Sequence, residues 1–148
     1  MDSETAAAIR DLRQRVNRLE TKTTPLYLPG GAWTPTYQGG TISGATTYVF
    51  QAGEYTRYGN VVVAKGQINW SAATGTGEAR FSLPIAPAGG NGSGSVYLSG
   101  ITFANNTPVV LMGVGTYFTL TSPLTNAAGG IVQMEAVGSI VFTIVYMV

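Results

Sequence analysis

The sequence predicts an all-β fold, a jelly-roll-like antiparallel β-sandwich head preceded by a short N-terminal α-helical coiled coil. Three observations carry this expectation. Of fifteen charged residues, nine lie in the first 24 positions: Asp2, Glu4, Arg10, Asp11, Arg13, Arg15, Arg18, Glu20 and Lys22. In the same stretch Ile9, Leu12, Val16 and Leu19 recur at spacings of 3, 4 and 3, the a/d pattern of a heptad repeat. From Trp33 onward, short β-rich runs alternate with Gly, Asn, Thr and Pro clusters, and no window holds a helical period.

The composition shift places a boundary near Thr21 to Pro25, dividing a helical segment, 1–24, from a head, 25–148. Asp2 or Ser3 supplies an N-cap, Glu4 sits in the first turn, and Ala6, Ala7 and Ala8 are strong helix formers. Pro25 stops the helix by disfavouring helical backbone at Thr24. Every other interior position of the helix is polar or alanine, which suits a coiled-coil seam better than the wider face of a helix lying on its own core. A helix of about 19 residues is marginal alone and forms with the help of an attached oligomer.

In the head, Tyr55 to Tyr58 and Val61 to Ser71 flank Gly59-Asn60, a two-residue turn in which both residues tolerate positive φ. Ala64, Gly66, Ile68 and Trp70 alternate with Lys65, Gln67, Asn69 and Ser71, so one face is buried and the other polar. Further strands are expected at Thr46 to Gln51, Ala79 to Leu83, Val96 to Phe103, Val109 to Thr121, Ile131 to Val137 and Ile140 to Val148. The linkers between them are Gly75-Thr76-Gly77, the flexible loop Gly89 to Gly94, Asn105 to Pro108 and Ala127 to Gly130. About eight short antiparallel strands at this spacing point to a sandwich. The last strand is apolar on both pleat faces and must be covered on both, either centrally in the sandwich or at a subunit interface.

The totals exclude several function classes. A net charge of +1 is too small for the basic footprint of a nucleic-acid binder. With no cysteine and no histidine, Ser-His-Asp and Cys-His catalysis and ordinary transition-metal sites are excluded, so no catalytic residue, cofactor or metal site is expected. The head acids are Glu54, Glu78 and Glu135. Glu54 with Glu78 forms the one arrangement to weigh as a glycosidase pair, which needs carboxylates roughly 5–10 Å apart. The stronger reading is structural, because both flank glycine turns. Gly90 to Gly94 leads into a strand where a phosphate-binding glycine loop leads into a helix. The longest apolar run, Ile140 to Val148, is short of the about 20 residues of a membrane span, so no membrane insertion is expected. Met1-Asp2-Ser3-Glu4 lacks the layout of a secretory signal, so synthesis in a cytoplasm is expected.

The number of helices in the coil is read from two signals. β-branched residues at a with Leu at d favour two strands. Arg15-Val16-Asn17-Arg18-Leu19-Glu20, however, resembles the known trimerisation motif with Arg at g and Glu at e, which implies that Arg15 lies near Glu20 of a neighbour. Three strands are favoured, with Ile9, Leu12, Arg15, Val16, Leu19 and Glu20 as the oligomer interface.

The stretch Gly53-Glu54-Tyr55-Thr56-Arg57-Tyr58-Gly59-Asn60-Val61-Val62-Val63, with Gly75-Thr76-Gly77, Ser82-Leu83-Pro84 and the upstream Trp33-Thr34-Pro35 and Gly39-Gly40, resembles domains of tailed-bacteriophage fibres and related virion proteins. The resemblance covers roughly Trp33 to Pro87 and consists of turn and strand punctuation. It implies a homotrimeric β-sandwich carried by a coiled coil on the virion surface: a head or tail fibre or knob, non-enzymatic and used for host attachment. Its expected partners are other copies of itself, capsid, tail or neck proteins reached through the N-terminal segment, and a host cell-surface glycan. Two alternatives stand beside it. One is a trimeric capsid decoration (cement) protein. The other is a bacterial trimeric adhesin-like module, against which the absent export layout counts. Trp33, Tyr37, Tyr55, Tyr58, Tyr97 and Tyr117 are the aromatics able to stack on sugar rings if exposed, and no receptor-binding residue is assigned.

Overall fold

The computed structural model describes residues 3–22, 27–90, 92–102, 108–112, 115–124 and 127–148. Among the described residues a helix, α1 (Ser3–Lys22), is followed by ten strands: β1 (Tyr27–Trp33), β2 (Tyr37–Gly39), β3 (Thr46–Tyr58), β4 (Val61–Ala73), β5 (Ala79–Ser82), β6 (Gly92–Ser99), β7 (Val109–Met112), β8 (Tyr117–Leu124), β9 (Ala127–Ile131) and β10 (Gly138–Met147). The head is all-β, in two antiparallel sheets. One runs β1-β3-β4-β10-β6 and the other β2-β5-β8-β7, with β9 also pairing with β8.

The β3–β4 hairpin is the longest pairing in the head, from Tyr58↔Val61 out to Thr46↔Ala73. Its turn uses Gly59 at φ 59°, a conformation nearly free for glycine alone. Alternation along β4 is as the sequence predicts: Ala64, Ile68 and Trp70 are buried, whereas Lys65 and Ser71 are exposed. Thr46 to Gln51 and Tyr55 to Tyr58 prove to be one continuous strand, because Gly53 pairs with Gly66 and Glu54 with Lys65 between them.

The two sheets share one core. Val62, Ala64, Ile68 and Trp70 of β4 and Ile140, Phe142, Ile144 and Tyr146 of β10 meet Tyr37, Phe81, Phe118 and Leu120 of the other sheet. A run of rings joins the layers: Trp33 to Phe142 at 6.2 Å, Phe142 to Phe118 at 5.0 Å, Phe118 to Phe81 at 5.1 Å, Phe81 to Tyr37 at 5.1 Å, and Tyr37 to Trp70 at 4.1 Å. Such aromatic pairs add about 0.5–1.5 kcal/mol each beyond the area they bury.

Several expectations are corrected. β1 and β2 precede the first predicted strand. β1 was hidden by Pro29-Gly30-Gly31, and it is an edge strand with a register shift between Leu28 and Gly31, where proline is tolerated. Gly92 to Gly94 is not a loop but the start of β6, held by pairing with Ile144 and its neighbours. Ala127 to Gly130 is likewise part of β9, and the strand expected at Ile131 to Val137 ends at Ile131, with an isolated bridge from Gln133 to Glu78. Val109 to Thr121 divides into β7 and β8. Phe103 and Asn105 to Thr107 lie outside the described residues.

β10 occupies the centre of its sheet, paired with β4 on one side and β6 on the other. Both backbone edges are therefore satisfied. Its inward residues are buried, but Val141, Val145 and Met147 on the other pleat face remain exposed. Within the chain the expectation of cover on both faces is met on one.

Candidate functional site

Two surfaces stand out, and both are apolar. The first is the stripe on α1. Ile9, Leu12 and Val16 are exposed, Leu12 by 59%, and lie on one face at heptad spacing. Leu19 and Glu20 belong to the same helix, but their side chains lie outside what is described. Arg15 is paired within its own chain to Asp11, four residues back, at 3.9 Å with both side chains largely exposed. Such a pair contributes only a few tenths of a kcal/mol, about 0.3–0.5, so it does not hold Arg15 against a better partner.

The second surface is the outward face of the β1-β3-β4-β10-β6 sheet. Register places its side chains in rows that cross β3, β4, β10 and β6: Ala52, Gln67, Val141 and Tyr97 form one, and Glu54, Lys65, Thr143 and Ser95 the next. Val63 and Val145 follow, then Tyr58, Val61 and Met147. Glu54 and Lys65 form an ion pair, which is the only charge on these rows. Two shallow depressions of about 460 Å³ each flank it, one bounded by Phe50, Gln67 and Val141, the other by Thr56, Tyr58 and Val63. Tyr97 projects from the face, 69% exposed.

The carboxylates weighed as a catalytic pair are separated by the fold. Glu54 faces outward from β3 against Lys65, whereas Glu78 precedes β5 in the other sheet. There Glu78 Oε1 accepts from Arg80 Nε at 2.6 Å, and the Arg80 guanidinium also stacks 4.3 Å from the centre of the Tyr117 ring. Glu135 contributes through its backbone: its carbonyl accepts from Trp70 Nε1 at 3.0 Å, and its N–H donates to the Tyr37 hydroxyl at 2.7 Å. Glu54 and Glu78 are thus each held in an ion pair, and Glu135 is bonded through its backbone. Among the described residues no cluster of three or more metal-ligating side chains occurs, and no helix is long and apolar enough to cross a membrane.

The aromatic candidates divide in the same way. Tyr37 is buried, Trp33 and Tyr55 pack against the core, and Tyr117 carries Arg80, leaving Tyr58 and Tyr97 exposed. Burial pushes the Tyr37 hydroxyl up to about 12, and does the same for Tyr146, whose hydroxyl donates to the Ile85 carbonyl at 3.0 Å. Neither is placed to exchange protons near neutral pH.

The glycine motifs have a steric explanation. Segments 39–45 and 74–78 lie backbone to backbone, with Thr76 N–H donating to Ile42 O at 2.9 Å and Thr74 N–H to Ala45 O at 3.0 Å. A Cβ on Gly39 would fall 2.3 Å from Ile42 O, and one on Gly75 2.5 Å from Ser43 O. Gly39-Gly40 and Gly75-Thr76-Gly77 therefore allow the two segments to pack backbone to backbone. No family model matches the chain, and no curated protein or solved structure matches it.

Proposed function

We propose that the chain is the subunit of a homotrimeric, non-enzymatic virion structural protein, a fibre head or knob displayed on the particle and used in host attachment. The observation that carries this reading is the exposed heptad stripe of Ile9, Leu12 and Val16 on a helix directly preceding an all-β head. A single-chain helix with such a stripe is incomplete until like helices cover it. The trimerisation-like Arg15 to Glu20 segment favours three helices over two, and the fibre-like punctuation from Trp33 to Pro87 supports the class of particle.

The head is read as a reduced jelly roll. From β4 the chain crosses between the sheets at each of the next three steps, to β5, β6 and β7, and on its return β8 inserts between β5 and β7 and β10 between β4 and β6. This interleaving supports the jelly-roll winding. Attachment gains from trimerisation because three weak sites act together on a repetitive glycan, and docking on capsid, tail or neck proteins is assigned to the N-terminal segment.

Two measurements test the reading. Light scattering is expected to give three times the 15.4 kDa chain mass, and a monomer at micromolar concentration overturns it. Immuno-electron microscopy of particles is expected to place the protein at fibre tips. A coat over many shell sites replaces attachment by capsid decoration.

A further inference from the structure

The outward face of the β1-β3-β4-β10-β6 sheet has no role in the chain's own core, yet it exposes Phe50, Tyr97, Val141, Val145 and Met147 together. We propose that this face turns inward on the trimer axis and forms the contact between the heads, covered by second and third copies of this chain. The inference rests on the trimer reading and goes beyond it by assigning the surface.

Four observations select a second copy as the occupant. First, reach: four residues, 23–26, separate the end of α1 from the start of β1, and at about 3.6 Å per residue the connection spans at most about 18 Å. Helices joined in a coiled coil therefore hold three heads within contact of one another, and β1 belongs to the sheet in question. Second, area: four strands about 4.8 Å apart and ten paired positions of about 3.4 Å cover roughly 650 Å², or roughly 325 Å² for each of the two neighbours in a ring, less than the roughly 800 Å² that each partner contributes to a stable interface on its own and suited to a contact that the coiled coil holds together.

Third, charge: the rows carry one acid and one base, Glu54 and Lys65, already paired, so approach of an identical face meets no net repulsion. Fourth, relief: the same face carries a projecting Tyr97 ring and two depressions. Projections and recesses on one molecule suit a head-to-tail contact that closes into a ring, in which each copy presents both halves.

The absence of cysteine makes the test direct. Val145→Cys, on the face, and Ile42→Cys, exposed on the segment after β2, are introduced singly into the full chain, and maleimide labelling is timed in samples whose mass is measured in parallel. Thr143→Cys, also exposed on the face, replaces Val145→Cys if the latter loses its β-sheet circular dichroism. The expected result is a trimer in which the face cysteine labels at least tenfold more slowly than Cys at position 42, with the difference lost in denaturant. A trimer in which both label at the same rate overturns the assignment and leaves the trimer reading intact. A monomer overturns both.

Discussion

The Tyr37 hydroxyl is bonded to both backbone groups of Glu135: it accepts the Glu135 N–H at 2.7 Å and donates to the carbonyl at 3.3 Å. Trp70 Nε1 donates to the same carbonyl at 3.0 Å, and the two rings lie 4.1 Å apart. The segment that leads into β10 is thus fixed by one buried residue from each sheet. Tyr37→Phe keeps the ring and leaves the Glu135 N–H without this partner, a loss of about 1–3 kcal/mol. Urea unfolding is expected to show it as a lower midpoint with unchanged slope.

Alkaline pH is expected to act through the same hydroxyl and through Tyr146. Both have a folded-state pKa of about 12, raised from 10.0 first of all by burial. The unfolded chain then holds fewer protons than the folded one between these values, so stability falls as pH rises. The contribution is complete below about pH 10 and is lost as pH climbs towards 12. Tyrosinate absorbance followed with circular dichroism is expected to show two late-ionising tyrosines titrating together with loss of β structure, and one fewer in Tyr37→Phe.

Gly66 faces Phe142 across β4 and β10, and a Cβ there would stand 2.6 Å from Phe142 Cζ. Because Phe142 packs against both Trp33 and Phe118, it has little freedom to yield. Gly66→Ala is expected to cost about 1–3 kcal/mol by overpacking. Gly90→Ala, where nothing lies within 4 Å of the added Cβ, is expected to stay within about 0.5 kcal/mol. Thermal melts of the two variants check the contrast.

What the sequence discloses of this fold follows from how local each signal is. The β3–β4 hairpin is legible because Gly59-Asn60 selects its own turn and the period-2 alternation on β4 marks the buried face. β6 and β9 are not. Gly92-Ser93-Gly94 and Ala127-Ala128-Gly129-Gly130 have turn composition, and they become strands because β10 and β8 supply the pairing partners, a tertiary effect that strand propensity does not record. On the candidate surfaces, the helix stripe reads directly from its 3, 4, 3 spacing. Phe50 and Tyr97 do not, since an aromatic in a strand has the same signature on either face until the register is known. The doubly apolar C-terminal strand was the one sequence signal that pointed to the outward sheet face.

The arrangement of α1 gives a last expectation. Leu12 is more exposed than Ile9 or Val16, and Leu19 follows it one heptad later. Leu12→Asp with Leu19→Asp introduces charges at two d positions, where burial of an unpaired carboxylate costs several kcal/mol, and a helix of this length has little intrinsic stability to offset that. Far-UV circular dichroism is expected to lose the helical component while the β signal of the head persists, because among the described residues the core built from Trp70, Phe81, Phe118 and Phe142 draws on none from α1. Light scattering then separates two outcomes for the heads. A mass of one chain assigns the trimer to the coil alone, whereas a concentration-dependent mass above one chain means that the sheet face also associates, with the Val141 and Val145 rows as its first sites to substitute.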